Sequence, residues 1–261
     1  ILFHGMDPFF QNWTDILSNP LGGYKQNVQL SKNQNSLFID LPLSTITIPR
    51  MVKILSIDIE APQPEQLERA RETLAEGGLV IVPTETVYGI ACDPAVPGAM
   101  EKLVAAKGRD GDKPIARLAA DPQQVAKTAK DWNAGLQALS EKYWPGPLTI
   151  VLETDAGWTG YRIPDHAVAL KLAKTCGHAV ALTSANLSGE PDTKTAQEAM
   201  NSVKADLVLD SGPSAKEAIP STVVKVDGEQ IECLREGKIP FAEIFRVFKH
   251  QDTKDSTEES L

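Results

Sequence analysis

The sequence predicts a layered α/β domain built on a twisted, mixed β-sheet, because strand-like and helix-like segments alternate along most of the chain. Short apolar runs bounded by Gly or Pro have strand character, whereas longer segments repeat apolar residues at helical spacing. Hydrophobic residues make up 42% and charged residues 23% of the 261 residues, as is usual for a globular protein with a large core. We therefore expect one α/β domain with appendages.

Residues 1–50 differ in composition from the chain that follows them. They are rich in Asn, Gln, Ser and Pro and show little sustained periodicity, whereas Met51 opens a clean strand-like run. We predict that residues 1–50 are a non-native or poorly ordered extension, that residues 51–249 form the domain, and that residues 250–261 are a disordered acidic tail.

The first half of the domain is assigned from hydrophobic spacing and from its Gly and Pro residues. Leu67, Ala70 and Leu74 recur at helical spacing, and Gly77 is expected to end their helix. The elements predicted in this half are strand 52–57, helix 64–76, strand 79–82, helix 97–106, strand 115–119 and a single helix over 121–142.

The second half is assigned in the same way. The segment Trp144-Pro145-Gly146-Pro147 predicts a rigid turn, a polar loop is expected to reach Tyr161, and Asp227-Gly228 predicts a hairpin turn. The elements predicted in this half are strand 148–152, helix 167–175, strand 180–182, helix 194–204, strands 207–210, 221–226 and 231–234, and helix 241–248.

Composition excludes several classes of protein. The net charge of −9 argues against a protein that coats nucleic acid non-specifically. Cys92, Cys176 and Cys233 are scattered and odd in number, which predicts neither a disulfide framework nor a zinc site and fits a reducing, cytoplasmic location. No apolar run approaches the length of ~18 residues that a membrane span needs.

Polar side chains collect at the predicted junctions between strands and loops. Cations, hydroxyls and amides in such places are typical of a site for a polyphosphate or a carboxylate. The P-loop, dinucleotide, nucleophile-elbow and His-Glu-x-x-His motifs do not occur in the sequence. The junction residues are Lys107, Arg109, Lys113, Arg162, Arg235, Thr84, Thr86, Ser184, Ser188, Ser221, Thr222 and Asn186.

Taken singly, each of these residues also has a structural explanation. Lys107 and Arg109 fit a solvated helix end, where positive charge complements the helix dipole, and Arg162 fits an ordinary surface charge. Ser184 and its neighbours fit a helix cap. His166 fits a turn or a cap better than a catalytic base.

Taken together and in order, seven segments across about residues 55–248 resemble the Sua5/YciO/YrdC family of threonylcarbamoyl-AMP synthases. The segments are Pro83-Thr84-Glu85-Thr86-Val87-Tyr88-Gly89, Lys107-Gly108-Arg109 with Lys113-Pro114, Trp144-Pro145-Gly146-Pro147-Leu148-Thr149, Arg162-Ile163-Pro164, Ser184-Ala185-Asn186-Leu187-Ser188-Gly189, Ser221-Thr222-Val223-Val224 and Leu234-Arg235-Glu236-Gly237.

The resemblance implies a fold and an activity. The implied fold has three layers, with a twisted mixed β-sheet flanked by helices and a basic concave cavity. The implied reaction joins L-threonine, bicarbonate and ATP into threonylcarbamoyl-AMP and pyrophosphate, with Mg²⁺ held mostly by the phosphates and no protein metal ligand. A partner threonylcarbamoyl transferase complex would then modify adenosine 37 of tRNA, and no membrane is implied.

The resemblance also implies site residues. Thr86 and Ser221 would contact threonine, Arg162 would pair with its carboxylate, and Leu182 would contribute main-chain contacts. The residues implied to hold ATP are Lys107, Arg109, Ser184, Asn186, Arg235 and Asp192, of which the first four form the implied catalytic tetrad.

The chain departs from the family pattern at two positions. Leu118 stands where some relatives carry a His that contacts threonine. Asp192 stands where a Ser often contacts ATP, and an acid is a poorer neighbour for phosphate. Because the chain ends soon after Phe248, we expect the short YrdC type.

Two alternatives remain open on the sequence. One is a YciO-like paralogue that acts mainly by binding RNA, which the acidic net charge disfavours. The other is a related carbamoyl-adenylate-forming enzyme with a different acceptor, since the ATP half of its site would look alike.

Overall fold

The computed structural model describes residues 31–33, 36–38, 52–108, 115–214 and 219–249. The chain divides into two units, Ile1–Arg50 and Met51–Leu261. Most of the predicted extension 1–50 and all of the predicted tail 250–261 lie outside the described residues, so both remain predictions.

The described residues form twelve strands and seven helices. The strands are β1 (Ser31–Asn33), β2 (Ser36–Phe38), β3 (Lys53–Ser56), β4 (Val80–Val82), β5 (Gly89–Cys92), β6 (Ala116–Leu118), β7 (Leu148–Thr154), β8 (Gly157–Arg162), β9 (Val180–Ser184), β10 (Leu207–Asp210), β11 (Thr222–Asp227) and β12 (Gln230–Arg235). The helices are α1 (Pro64–Ala75), α2 (Ala99–Ala106), α3 (Pro122–Ala126), α4 (Ala134–Tyr143), α5 (Ala167–Cys176), α6 (Ala196–Ser202) and α7 (Phe241–Lys249).

In the unit Met51–Leu261, ten strands form one mixed sheet in the order β12-β11-β7-β8-β6-β9-β5-β4-β10-β3. The pairs β11–β7, β6–β8, β4–β10 and β10–β3 are parallel, and the other neighbouring pairs are antiparallel. In the unit Ile1–Arg50, β1 and β2 pair with each other antiparallel.

Helices cover both faces of the ten-stranded sheet, which gives three layers. On one face, α1 and α5 pack through residues such as Leu74 and Leu172 onto β4, β6, β9 and β10. On the other face, α2 and α6 form one apolar cluster, and α3, α4 and α7 form a second through residues such as Leu139 and Phe248. The structure thus confirms the α/β class and the twisted, mixed sheet.

The helices α1 and α5 cover only part of the sheet face on which they pack. Their cluster includes Leu118 of β6 but no residue of β7, β8 or β11. Leu118 is the register partner of Arg162 on the parallel strand β8, so both side chains point to this face. In the described part of the chain, these helices therefore leave a surface over β8, β7 and β11 uncovered.

Two predicted elements were wrong. The segment 121–142 is two helices, because Asp121 caps α3, Asn133 caps α4, and the residues between them pair with the end of β7 through a bridge from Ala129 to Thr154. The segment before Tyr161 is strand β8 rather than a polar loop, since it forms a hairpin with β7. Strand β5 was not predicted.

Candidate functional site

A cavity of ≈ 200 Å³ opens on the uncovered part of the sheet. The side chains of Arg162 and Arg235 line it, and among its described lining residues Asp192 is the one carboxylate. Hydroxyl side chains from the loop after β4, from β7, from β9 and from the residue before β11 line it as well, namely Thr84, Thr86, Thr149, Ser184 and Ser221. The cavity is therefore basic and rich in hydrogen-bonding groups, as predicted.

The loop between β4 and β5 forms one wall through two buried threonines. The Thr84 hydroxyl donates to the Val87 carbonyl at 2.6 Å and accepts from the backbone N–H groups of Thr86 and Val87 at 3.2 and 3.3 Å. The Thr84 and Thr86 hydroxyl oxygens are 3.0 Å apart. Such a side-chain turn fixes the loop and presents the Thr86 hydroxyl beside Arg162.

Arg162, the last residue of β8, is held from several sides. Its Nη2 donates to the Thr86 hydroxyl at 3.1 Å, and its Nε donates to the Gly146 carbonyl at 3.3 Å. The same Nη2 forms an ion pair with Glu85 Oε1 at 2.6 Å, in which the Arg162 and Glu85 side chains are 11% and 15% exposed. The turn at Gly146 and the loop after β4 therefore meet at this guanidinium.

A second arginine lies on the neighbouring edge of the cavity, at the end of β12. Arg235 donates from Nη2 to the Ser221 carbonyl at 2.9 Å and to the Ser221 hydroxyl at 3.2 Å. The buried Ser221 hydroxyl is also 2.9 Å from the Thr149 hydroxyl. Although Arg235 is exposed as a whole, partial desolvation lowers the pKa of its guanidinium, nearby Asp192 opposes that effect, and Arg162 adds to it. We call Arg162, Arg235, Glu85, Thr86 and Ser221 the arginine cluster.

Lys107 sits in a different environment at the end of α2. The residue is only 3% exposed. Its Nζ donates to the carbonyls of Ser184 and Asn186 and, at 3.0 Å, to Asn186 Oδ1, and it lies 3.5 Å from the Ser184 hydroxyl. The Ser184 hydroxyl in turn donates to Asn186 Oδ1 at 2.5 Å. We call Lys107, Ser184 and Asn186 the lysine cluster.

The sheet beneath the cavity depends on a glycine. A Cβ at Gly89 would lie 2.8 Å from Leu182 Cδ1 and 3.2 Å from the Thr183 carbonyl, so any larger residue would force Leu182 to shift where β5 and β9 meet. Leu182 itself lines the cavity beside Leu118.

Most of the predicted site residues are thus brought together. Thr86, Arg162, Leu182, Ser184, Asp192, Ser221 and Arg235 line the cavity, and Lys107 and Asn186 adjoin it through Ser184. Arg109 and Lys113 lie outside the described residues, so their predicted places remain predictions. Leu118, the departure from the family pattern, is buried in the cavity wall.

Two residues of this site had no role assigned from the sequence. Thr149 lies in a quoted segment, and its position next to the buried Leu148 at the start of β7 signals a side chain on the opposite, cavity-facing side. Glu85 was noted as a loop carboxylate, but only the folded chain shows that it pairs with Arg162.

Among the described residues, His166 and His178 do not line the cavity, although His166 lies close enough to Glu85 to be affected by its charge. His166 is the N-cap residue of α5 without a side-chain capping bond, and burial lowers the pKa of its imidazole against the opposing effect of Glu85 and Asp165. His178 is half exposed and pairs with Asp93 at 2.9 Å.

The site suits an anion better than a metal ion held by protein ligands alone. Within the described ranges no group of three or more His, Cys, Asp or Glu side chains converges. The cavity offers arginines and hydroxyls, which bind phosphate and carboxylate oxygens. Among the helices that the structure describes, none has the length and apolar character needed to cross a membrane.

Known proteins match this chain in sequence and in fold. The threonylcarbamoyl-AMP synthase of Pyrococcus abyssi is 32% identical over 186 residues, which cover 67% of this chain and 54% of that protein. The enzyme of the same name from Vibrio vulnificus is 32% identical over 184 residues, which cover 66% of this chain and 98% of that protein. The chain thus spans about half the length of the Pyrococcus relative.

A solved structure agrees with these relatives. Crystalline P. abyssi Sua5 complexed with L-threonine matches with a TM-score of 0.69 and 29% identity, over 75% of this chain and 61% of that chain. The Sua5/YciO/YrdC family profile, which carries the description "Telomere recombination", matches residues 72–237, more than half of the chain. The chain therefore belongs to the Sua5/YciO/YrdC family.

Proposed function

We propose that the chain is a threonylcarbamoyl-AMP synthase, which forms threonylcarbamoyl-AMP, pyrophosphate and water from L-threonine, bicarbonate and ATP. The observation that carries this proposal is the meeting of Arg162, Arg235, Ser221 and Ser184 at one cavity. The relatives named threonylcarbamoyl-AMP synthase and the threonine complex of P. abyssi Sua5 support it.

The threonine half of the site is proposed to be the Arg162 side of the cavity. Arg162 would bind the amino-acid carboxylate, because a guanidinium matches a carboxylate in charge and geometry. The hydroxyls of Thr86 and Ser221 are fixed by their hydrogen bonds and would contact the rest of the amino acid, with Leu182 adding main-chain contacts. The threonine nitrogen would form a bond to the carbon of CO₂ derived from bicarbonate, which gives a carbamate.

The ATP half is proposed to extend from Arg235 towards Ser184. A carbamate oxygen would attack the α-phosphorus, and the bond to the β-phosphate would break as pyrophosphate leaves. This step needs alignment and neutralisation of charge rather than a side-chain nucleophile. The residues proposed to serve it are Lys107, Arg109, Ser184, Asn186 and Arg235, with Asp192 at the edge of the site.

Lys107 and Asp192 are proposed to act differently from the others. The described contacts of Lys107 go to oxygens of Ser184 and Asn186, so we propose that it shapes their segment rather than binds phosphate directly. Asp192 acts electrostatically on Arg235 and would moderate its charge near the phosphates. Mg²⁺ would arrive on the triphosphate, and we assign it no protein ligand and no step.

The wider role is proposed from the family. A threonylcarbamoyl transferase complex would consume the adenylate and modify tRNA. A cytoplasmic location, which the three free cysteines favour, remains a prediction.

The test is pyrophosphate release by the purified chain with ATP, bicarbonate and Mg²⁺, with and without L-threonine, and mass spectrometry of the product. We expect release that requires both threonine and bicarbonate. Arg162→Gln should abolish it, whereas Arg71→Gln, which removes a partly exposed arginine paired with Glu68 on α1, should not. A folded chain that releases no pyrophosphate yet binds RNA would instead support the RNA-binding alternative.

A further inference from the structure

Glu85 forms an ion pair with Arg162 and has no part in the reaction proposed above. We propose that Glu85 is a positioning residue, which holds the Arg162 guanidinium in the orientation that receives the carboxylate of the amino-acid substrate. This inference rests on the proposed function for the identity of the ligand. The geometry of the pair itself does not depend on it.

The guanidinium of Arg162 is fixed on two of its three nitrogens. Nε donates to the Gly146 carbonyl at 3.3 Å, and Nη2 contacts both the Thr86 hydroxyl at 3.1 Å and Glu85 Oε1 at 2.6 Å. No hydrogen bond joins Nη1 to any of the described residues. A planar guanidinium that is fixed at two nitrogens presents the N–H groups of its third nitrogen in one direction, as a rigid carboxylate-binding site requires.

Glu85 reaches this guanidinium from outside the cavity. Thr84, Thr86 and Val87 line the cavity, whereas Glu85 between them does not. A carboxylate placed there can hold the guanidinium from behind and leave the cavity free for the ligand. If Glu85 instead occupied the ligand's place, it would have to be displaced before a substrate carboxylate could bind.

The environment of Glu85 makes its charge available to Arg162. Both carboxylate oxygens are buried and make no hydrogen bond of good geometry to the described part of the chain, so the ion pair is their main stabilising contact. Nearby His166 does not compensate, because burial lowers the pKa of its imidazole and favours the neutral form near pH 7. A buried carboxylate without hydrogen bonds is costly for stability, so its presence against an arginine of the site calls for a function.

The decisive variant is Glu85→Gln, which keeps the shape of the side chain and removes its charge. The affinity for L-threonine should fall about tenfold, because a misoriented Arg162 would lose a charge-assisted contact with the threonine carboxylate. Such a contact is worth about one decade in affinity. The KM for threonine should rise with kcat within about twofold, because the amino group and the phosphates are not touched. Glu85→Asp, which keeps the charge, should recover part of the affinity.

Glu153→Gln is the matched control. Glu153 forms an ion pair of 2.7 Å with Lys130 at the surface, where both side chains are about half exposed. Removal of this carboxylate should leave threonine affinity unchanged. Equal losses in the two variants would overturn the proposal, and so would tighter binding by Glu85→Gln, because tighter binding means that Glu85 masks Arg162.

A readout without substrate separates this inference from the proposed function. In the ¹⁵N spectrum of the full chain, the Nη signals of Arg162, assigned by their loss in Arg162→Lys, should be separate because the guanidinium does not rotate freely. They should merge in Glu85→Gln. Separate signals in the folded variant would refute the positioning role, even if the chain proved to have another activity.

Discussion

The lysine cluster and the arginine cluster adjoin the same cavity but differ in the burial and the hydrogen-bond partners of their cations. Lys107 is buried, and its ammonium is surrounded by backbone and side-chain oxygens of Ser184 and Asn186. Arg162 and Arg235 line the cavity, and each keeps part of its guanidinium available. The described hydrogen bonds of the Lys107 ammonium thus go to protein oxygens, whereas Arg162 and Arg235 can each still bind an anion.

The difference teaches that the presence of a cation near a site does not define its role. An ammonium has three protons, and when protein oxygens accept all of them it acts as an internal cross-link. A guanidinium has five, so it can be anchored by the protein and still bind a ligand. We expect substitutions in the lysine cluster to affect folding and activity together, whereas loss of Arg235, the exposed member of the arginine cluster, should affect activity more than stability.

The largest effect is expected for Lys107→Met. This change removes the ammonium but keeps most of the apolar stem, and it leaves the carbonyls of Ser184 and Asn186 without their buried donor. Unsatisfied buried groups cost about 1–3 kcal/mol each, so the free energy of unfolding should fall by about 3 kcal/mol. Pyrophosphate release should fall more than about 100-fold. Urea denaturation and the release assay measure the two effects.

The control is Lys130→Met, which removes a half-exposed lysine paired with Glu153. Exposed pairs contribute about 0–1 kcal/mol, so this variant should be nearly as stable as the parent chain. If Lys107→Met kept its stability and lost only activity, Lys107 would bind substrate directly and the contrast between the clusters would disappear.

Arg235→Met should show the reverse pattern. Its guanidinium contacts the Ser221 carbonyl and hydroxyl at the edge of the cavity, and the residue as a whole is exposed. The free energy of unfolding should fall by about 1 kcal/mol, less than in Lys107→Met, because water at the exposed edge can replace part of the lost contact with Ser221. Activity should fall about 100-fold, chiefly through the KM for ATP, because a charge-assisted phosphate contact is lost. Steady-state kinetics with ATP varied would test this, and an unchanged KM would place ATP elsewhere.

The contrast between the clusters also marks what the sequence can predict. The alternation of elements and the junction residues indicated the α/β class and which side chains would meet. The sequence could not show that Lys107 is buried, because that depends on how the end of α2 packs against β9. Nor could it show the ion pair of Glu85 with Arg162, since their loop and strand are distant in the chain and β8 itself was taken for a loop.

The prediction of a single helix over 121–142 was wrong for a related reason. The apolar spacing of 121–142 continues through the break, so periodicity alone favours one helix. Asp121 and Asn133 are both good N-cap residues, yet the second lies inside the periodic run and was not used as a start signal. The pairing of Ala129 with Thr154 is a tertiary contact, and such contacts override local propensity.

The smallest effect is expected for Thr195→Ala, which lowers stability without removing a hydrogen bond of either cluster. Thr195 begins α6 with a capping box, in which its hydroxyl accepts from the Glu198 N–H at 3.1 Å and the Glu198 carboxylate accepts from the Thr195 N–H at 3.2 Å. Loss of the side-chain half of this box should lower the free energy of unfolding by about 1 kcal/mol. Because α6 packs on the face opposite the cavity, pyrophosphate release at 25 °C should be unchanged.

That result would show that a loss of stability does not by itself lower activity, so the coupled loss in Lys107→Met would have to arise from its contacts with Ser184 and Asn186. If Thr195→Ala lost activity in proportion to stability, urea denaturation and pyrophosphate release could no longer distinguish the two clusters. Threonine affinity measured on the folded fraction would then have to separate them.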